Sequence, residues 1–188
     1  MPHQLLCPVW LGYFLLNPLR KLFQNPVKIL GPHVKSGDTL LEVGPGMGYF
    51  TLSMAQLVGA AGRVVCVDLQ AQMLFNLEKR ARRAGLLDRI ETRTCRQESL
   101  GISDLEGLVD FTLAFAVVHE VPDMEILFRE IHLASKNGAR LLVSEPRGHV
   151  RRKNFDEMLM LAKKTGFSLL EEPDIALSIS ALLRVDKS

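Results

Sequence analysis

From Ser36 onward, short apolar runs alternate with longer mixed segments that end in glycine. Residues 39–43 (TLLEV), 63–68 (RVVCVD), 89–95, 110–116 (DFTLAFA) and 139–145 (ARLLVSE) predict five strands, rich in Val, Leu and Ile. The segments between them predict helices over 47–58, 71–84, 123–135 and 154–165. Their stops are Gly59 with Gly62, Gly85, Asn137-Gly138 and Gly166. Two last strands follow near 167–172 and 177–185, with no helix between them. The central strands are continuous apolar runs rather than alternations, as expected of strands covered on both faces. The pattern predicts an α/β protein with a Rossmann-like, doubly wound sheet, mostly parallel, linked by right-handed crossovers. Two consecutive strands at the end predict an antiparallel closing hairpin in place of another strand–helix unit.

The chain before residue 37 does not share this rhythm. It is broken by Pro18, Pro26 and Pro32, and residues 5–16 (LLCPVWLGYFLL) are almost wholly apolar. A secretory signal carries its positive charge ahead of the apolar run, whereas Arg20 and Lys21 come after it and Pro8 interrupts it. The run is also shorter than the ~18 residues expected of a membrane span. It predicts a helical arm or lid over 1–36 that packs on the domain, covers the active site or lies at a membrane surface, ahead of a main domain over 37–188.

A length of 188 residues leaves room for one domain and little more. The net charge of +2 is too mild to indicate nucleic acid or an anionic membrane as partner. Cys7, Cys66 and Cys95 are odd in number and widely spaced, so neither a disulfide framework nor a metal site is expected. These features predict reduced thiols and a cytoplasmic monomer or homodimer.

The strongest candidate chemistry is LLEVGPGMGYFT, residues 40–51, where the first strand should turn into a helix. Gly44 permits the tight turn. After Pro45, Gly46 clears a side chain where backbone N–H groups meet a ligand, and Gly48 lets the helix approach the strand. Twenty-four positions after Gly44, Asp68 ends the second strand, where a carboxylate can accept both hydroxyls of a ribose. The spacing is G-x-G-x-G, not the G-x-G-x-x-G of dinucleotide sites. Glu42 would sit badly beside a pyrophosphate. It suits the cationic amine of an amino acid, as in S-adenosylmethionine.

With these motifs, residues 36–185 resemble the class I S-adenosylmethionine-dependent methyltransferases. The resemblance implies a seven-stranded sheet whose last strand is antiparallel, and S-adenosylmethionine as cofactor. It places Glu42, Gly44, Pro45, Gly46 and Gly48 at the methionine end, Asp68 on the ribose and Leu69 against the adenine. The segment Cys95-Arg96-Gln97-Glu98 would meet the adenine edge. Arg96 stands where many members carry Asp, so Gln97 is the candidate acceptor for the adenine amine. Ala116, at the end of the fourth strand, is placed on the cofactor side.

The stretch AFAVVHEVPD, residues 114–123, should line the methyl-transfer site. It lacks the Asn/Asp-Pro-Pro-Tyr pattern of enzymes that methylate base amines. It is similar instead to the small-molecule branch that includes the quinone-biosynthesis methyltransferases. The predicted reaction is direct in-line methyl transfer to a small-molecule acceptor. The alternatives are a non-catalytic S-adenosylmethionine-binding protein and an enzyme acting on RNA or protein; EVGPGMGYFT also looks like the first motif of ribosomal RNA adenine dimethyltransferases. His119 is the candidate catalytic base, or else a residue that merely hydrogen-bonds the loop. Tyr13 from the arm, Glu120 and His149 are candidate acceptor-binding residues. Lys79, Arg80, Arg82 and Arg83 read as a solvated helix face. Arg147, Arg151, Arg152 and Lys153 either bind an acidic acceptor or lead into an exposed helix.

Overall fold

The computed structural model describes residues 20–187. It contains one seven-stranded sheet: β1 (Thr39–Val43), β2 (Arg63–Asp68), β3 (Ile90–Thr94), β4 (Val109–Phe115), β5 (Ser135–Pro146), β6 (Phe167–Glu171) and β7 (Ser178–Val185). The helices are α1 (Arg20–Phe23), α2 (Pro26–Leu30), α3 (Thr51–Val58), α4 (Ala71–Arg83), α5 (Met124–Ala134) and α6 (Arg152–Lys164). The strand order is β3-β2-β1-β4-β5-β7-β6. The pairs among β1 to β5 are parallel, and β7 lies antiparallel between β5 and β6. The two closing strands therefore form the antiparallel hairpin that the pattern predicts.

Burial on both faces explains the continuous apolar runs. Side chains alternate across a strand. On one face Leu41, Val43, Val65, Val67, Leu141 and Val143 pack with Phe128 and Ile131 of α5 and Phe155 of α6. On the other face Leu40, Val64, Cys66 and Leu142 pack with Met54 of α3 and Leu74 and Leu77 of α4. Leu30 of α2 and Val34 belong to this second core, so the end of the predicted arm packs on the sheet. Asn25 starts α2 by accepting the N–H groups of Val27 and Lys28, with Pro26 at the first helical position.

Two boundaries differ from the sequence pattern, each for a local reason. The helix predicted from residue 47 begins at Thr51, because Gly46 and Gly48 have φ of +54° and +80°. Such left-handed geometry cannot continue a right-handed helix. The strand predicted from residue 139 begins at Ser135, directly after α5. Ser135 pairs with Val109, and a register shift before Phe111 absorbs Asn137-Gly138 within the ladder instead of in a loop.

Gly48 also illustrates how tightly the loop is seated. A Cβ placed there would lie 2.2 Å from Cδ1 of Leu77, which is fully buried in α4. Gly48→Ala combines left-handed strain with a core clash, so urea unfolding should show a loss of about 2–4 kcal/mol. Gly85 has φ of +66° but open space around the same added atom. Gly85→Ala is therefore expected to lose only about 1 kcal/mol. Equal losses for the two variants would show that Leu77 yields freely.

Candidate active site

The strand order reverses beside β1, whose neighbours β2 and β4 lead off in opposite directions. In an open α/β sheet a crevice forms there, at the carboxyl ends of the strands. A cavity of about 550 Å³ opens at this point. Glu42, Gly44, Pro45 and Gly46 border it from β1 and its loop, and Asp68 and Leu69 from the end of β2. Gln97, Ala116, His119, Glu120 and His149 complete the predicted residues that line it. Gly48 does not line it and serves the packing of α3 and α4 instead. Tyr13 lies outside the described residues.

The glycine loop and the acidic strand end are physically joined. Asp68 accepts the Gly46 N–H at 3.2 Å and the Gln70 N–H at 2.9 Å. Burial raises the pKa of its carboxyl, and these two N–H bonds pull it back down. An added Cβ at Gly46 would meet no atom within 4 Å, so the backbone there faces open space. At Gly44 the same atom would lie 2.5 Å from Val117, because the turn after β4 crosses directly over the loop. Arg80 departs from the predicted solvated face: its guanidinium donates to the Met47 carbonyl and tethers the loop to α4.

Glu42 is buried beneath the loop. Its Oε2 accepts the Thr51 hydroxyl at 2.5 Å and lies 3.8 Å from the Cys66 thiol. Burial pushes its carboxyl up to about 7, against the pull of those two hydrogen bonds. Cys95, after β3, borders the cavity with its thiol pushed up to about 11, again chiefly by burial. Beside it, Glu130 of α5 accepts the Ser99 hydroxyl at 2.7 Å and the Leu100 N–H at 2.5 Å, holding the segment that carries Gln97.

The chain leaves β4 through Ala116, whose φ is +56°, an uncommon value for a residue with a side chain. The Ala116 N–H donates to Ser144 at 2.7 Å, and the following turn carries His119 and Glu120 to the cavity. Glu145, at the end of β5 and 1% exposed, fixes that turn. Its Oε1 accepts the Val118 N–H at 2.8 Å, and its Oε2 contacts Nδ1 of His119. This pairing raises the pKa of His119, and burial only partly offsets it. Burial likewise raises the pKa of Glu120. The rings of His119 and His149 lie 5.7 Å apart.

Sequence reasoning missed Glu145, although a carboxylate closing an apolar strand (VSEP) is the same signal that marks Asp68. It also missed Arg20. The Arg20 guanidinium borders the cavity and lies 4.2 Å from the centre of the Tyr49 ring. The basic segment after β5 turns elsewhere. Arg147 donates to the Ser178 carbonyl at 2.8 Å, and Arg152 pairs with Glu172 and Asp156. Neither these two nor Arg151 and Lys153 border the cavity. Among the described residues, no three His, Cys, Asp or Glu side chains gather to hold a metal.

A sheet of this order, with a glycine loop after β1 and an acidic residue closing β2, defines the class I S-adenosylmethionine-dependent methyltransferase fold. A methyltransferase domain family matches residues 34–177, and the chain belongs to that family. Over 112 residues it is 31% identical to the ubiquinone/menaquinone biosynthesis C-methyltransferase of Klebsiella pneumoniae, an alignment covering 60% of this chain and 44% of that enzyme. The enzyme of the same description from Escherichia coli O1:K1 is 30% identical over the same coverage. The chain thus spans less than half the length of these curated relatives. Among solved structures, an S-adenosylmethionine-dependent methyltransferase from Aquifex aeolicus superposes with a TM-score of 0.85 at 19% identity, covering 96% of this chain and 100% of that one. A second from Methanococcus maripaludis superposes with a TM-score of 0.76 at 14% identity, covering 96% and 94%.

Proposed function

We propose that this chain binds S-adenosylmethionine in the crevice and transfers its methyl group to a small-molecule acceptor by in-line displacement. The observation that carries this is the junction of Gly46 and Asp68. One hydrogen bond ties an open backbone edge to a carboxylate at the switch point of the sheet. The residues present fit the cofactor. A 550 Å³ cavity suits a nucleoside-sized ligand. Asp68 keeps lone pairs for two ribose hydroxyls beside the backbone N–H groups it already accepts. Glu42, half ionised near pH 7, offers a negative charge to an amino group at the loop. Gly44, Pro45 and Gly46 frame that end. Leu69, Gln97 and Ala116 are proposed to bound the adenosine side.

When bound, S-adenosylmethionine supplies a methyl already activated on a sulfonium. The protein's task is then to orient the acceptor and exclude water. In this reading the acceptor lies against His119 and Glu120 on the turn after Ala116 and against His149, which is supported by all three lining the cavity and by the closeness of the two imidazole rings. Three observations favour a small acceptor: the cavity's size, the mild net charge and the absence of the base-amine motif after β4. The curated relatives are by name quinone-biosynthesis C-methyltransferases, which points the same way.

A thermal-shift panel tests this. S-adenosylhomocysteine at 100 times its Kd should stabilise the protein by about 2.7 kcal/mol, or about 5–10 °C in Tm. Stabilisation by NAD and not by S-adenosylhomocysteine overturns the proposal. Methyl transfer to a candidate acceptor then distinguishes an enzyme from a binding protein.

A further inference from the structure

We propose that His119 and Glu145 form a general-base dyad, and that the acceptor therefore presents an acidic hydroxyl of phenol or enol type. This rests on the methyltransferase reading above. The geometry that carries it is an ordered series: buried carboxylate, imidazole, cavity. His119 borders the cavity and Glu145 does not, so the ring stands between them. Glu145 holds Nδ1, which leaves Nε2 as the nitrogen for an acceptor.

A carboxylate at 1% exposure is costly to maintain unless its partners repay the lost hydration. One N–H from Val118 would be enough to fix the turn. The second oxygen is spent on an imidazole at the cavity edge, the arrangement that sets a tautomer and stabilises the imidazolium formed when a base takes a proton. The other titratable groups facing His119 are Glu120, on the same turn, and His149, after β5. Glu120 and Glu145 both favour the protonated ring.

Such a base has a purpose only for certain acceptors. A neutral amine attacks the methyl with its own lone pair and can shed its proton afterwards. A phenol or enol is a poor nucleophile until its O–H is removed. In the proposed step the hydroxyl proton moves to Nε2 of His119. The resulting anion forms the new bond to the methyl carbon from its oxygen, or from the carbon conjugated with it. The methyl C–S bond breaks and its electron pair stays on sulfur, which becomes neutral. In the oxygen case the imidazolium returns its proton to solvent. In the carbon case the carbon that took the methyl loses its C–H proton to water and the oxygen takes a proton back, so one proton is released for each methyl transferred.

The test uses the full chain with labelled S-adenosylmethionine and two probe sets: catechol and 2-naphthol against benzylamine and aniline, from pH 5.5 to 9. The expected result is transfer to the phenols, with kcat rising along an acidic limb that lies above the usual imidazole value of about 6.5. Glu145→Gln keeps an acceptor for the Val118 N–H. It should lower kcat about 100-fold and move that limb to lower pH, with S-adenosylhomocysteine affinity held within about 2-fold. His119→Gln should remove the limb. A merely structural Glu145 would change stability or KM and leave the limb in place, which overturns the proposal. Transfer to amines alone, or to none of the four probes while S-adenosylhomocysteine still binds, overturns it and leaves the cofactor assignment standing. Failure of the wild-type protein to bind S-adenosylhomocysteine removes the methyltransferase reading and this inference together.

Discussion

Asp68→Ala is expected to weaken S-adenosylhomocysteine binding by at least about 100-fold, measured by calorimetry at neutral pH. The ribose would lose two hydrogen bonds to an ionised acceptor, each worth about 1.5–3 kcal/mol. The variant also strips the acceptor from the N–H groups of Gly46 and Gln70, so the loop loses its anchor before any ligand arrives. Asp68→Asn separates the two effects. It keeps one acceptor oxygen for the loop and removes the charge, so the fold should hold while affinity falls by about 10-fold. If Asp68→Ala bound as tightly as the wild type, the ribose assignment would be wrong. The whole orientation of the ligand in the crevice would then have to be reversed.

The second large effect concerns Glu42 and pH. Its folded-state value of about 7 lies above its ordinary value of 4.5. Below pH 4.5 the carboxyl is protonated in both folded and unfolded chains, and its contribution to stability is fully present. As pH rises, the unfolded chain ionises first while the folded chain holds its proton, so stability falls until pH passes about 7. The loss across that window is about 3 kcal/mol, from a difference of 7 against 4.5. Glu42→Gln has no such slope. Between pH 4 and pH 8 the variant should gain about 3 kcal/mol relative to wild type in urea unfolding. Parallel curves for the two proteins would show that Glu42 is not the group responsible. Ligand binding gives an independent reading. A cationic amine beside Glu42 favours its ionised form, so binding near pH 6.5 should release a proton. Calorimetry in buffers of different ionisation enthalpy detects that release, and Glu42→Gln should abolish it.

These two residues were legible in the sequence because each sits at a fixed offset within a local unit. Glu42 precedes the glycine loop, and Asp68 closes the strand after it. Any chain that folds as strand, loop, helix and strand brings them to one edge. What the sequence concealed about Glu42 was its state. The Thr51 hydroxyl beside it comes from the first turn of α3, and its other neighbour, Cys66, lies on the sheet face that α3 and α4 cover, so its burial depends on that layer being in place. The same holds for Arg80. Its helix was readable, yet its bond to the Met47 carbonyl depends on how α4 lies across the loop.

The distant pairing of Glu145 with His119 was not legible at all. It follows from the parallel register of β4 and β5, in which Phe115 lies opposite Ser144. That register carries the turn after Ala116 past the end of β5. Its positive φ then lets Val118 and His119 meet one carboxylate. Nothing in the spacing of residues 119 and 145 signals the contact.

The sequence by itself determined the alternation of strands and helices, the antiparallel close of the sheet, and the glycine loop with its acidic partner. Those features depend on side-chain periodicity and on backbone angles that glycine alone adopts freely, and both act over a few residues. Only the tertiary structure decided which carboxylates are buried, which nitrogen of His119 is held, and which basic side chains reach the cavity. Those depend on strand register and on desolvation by elements far apart in the chain.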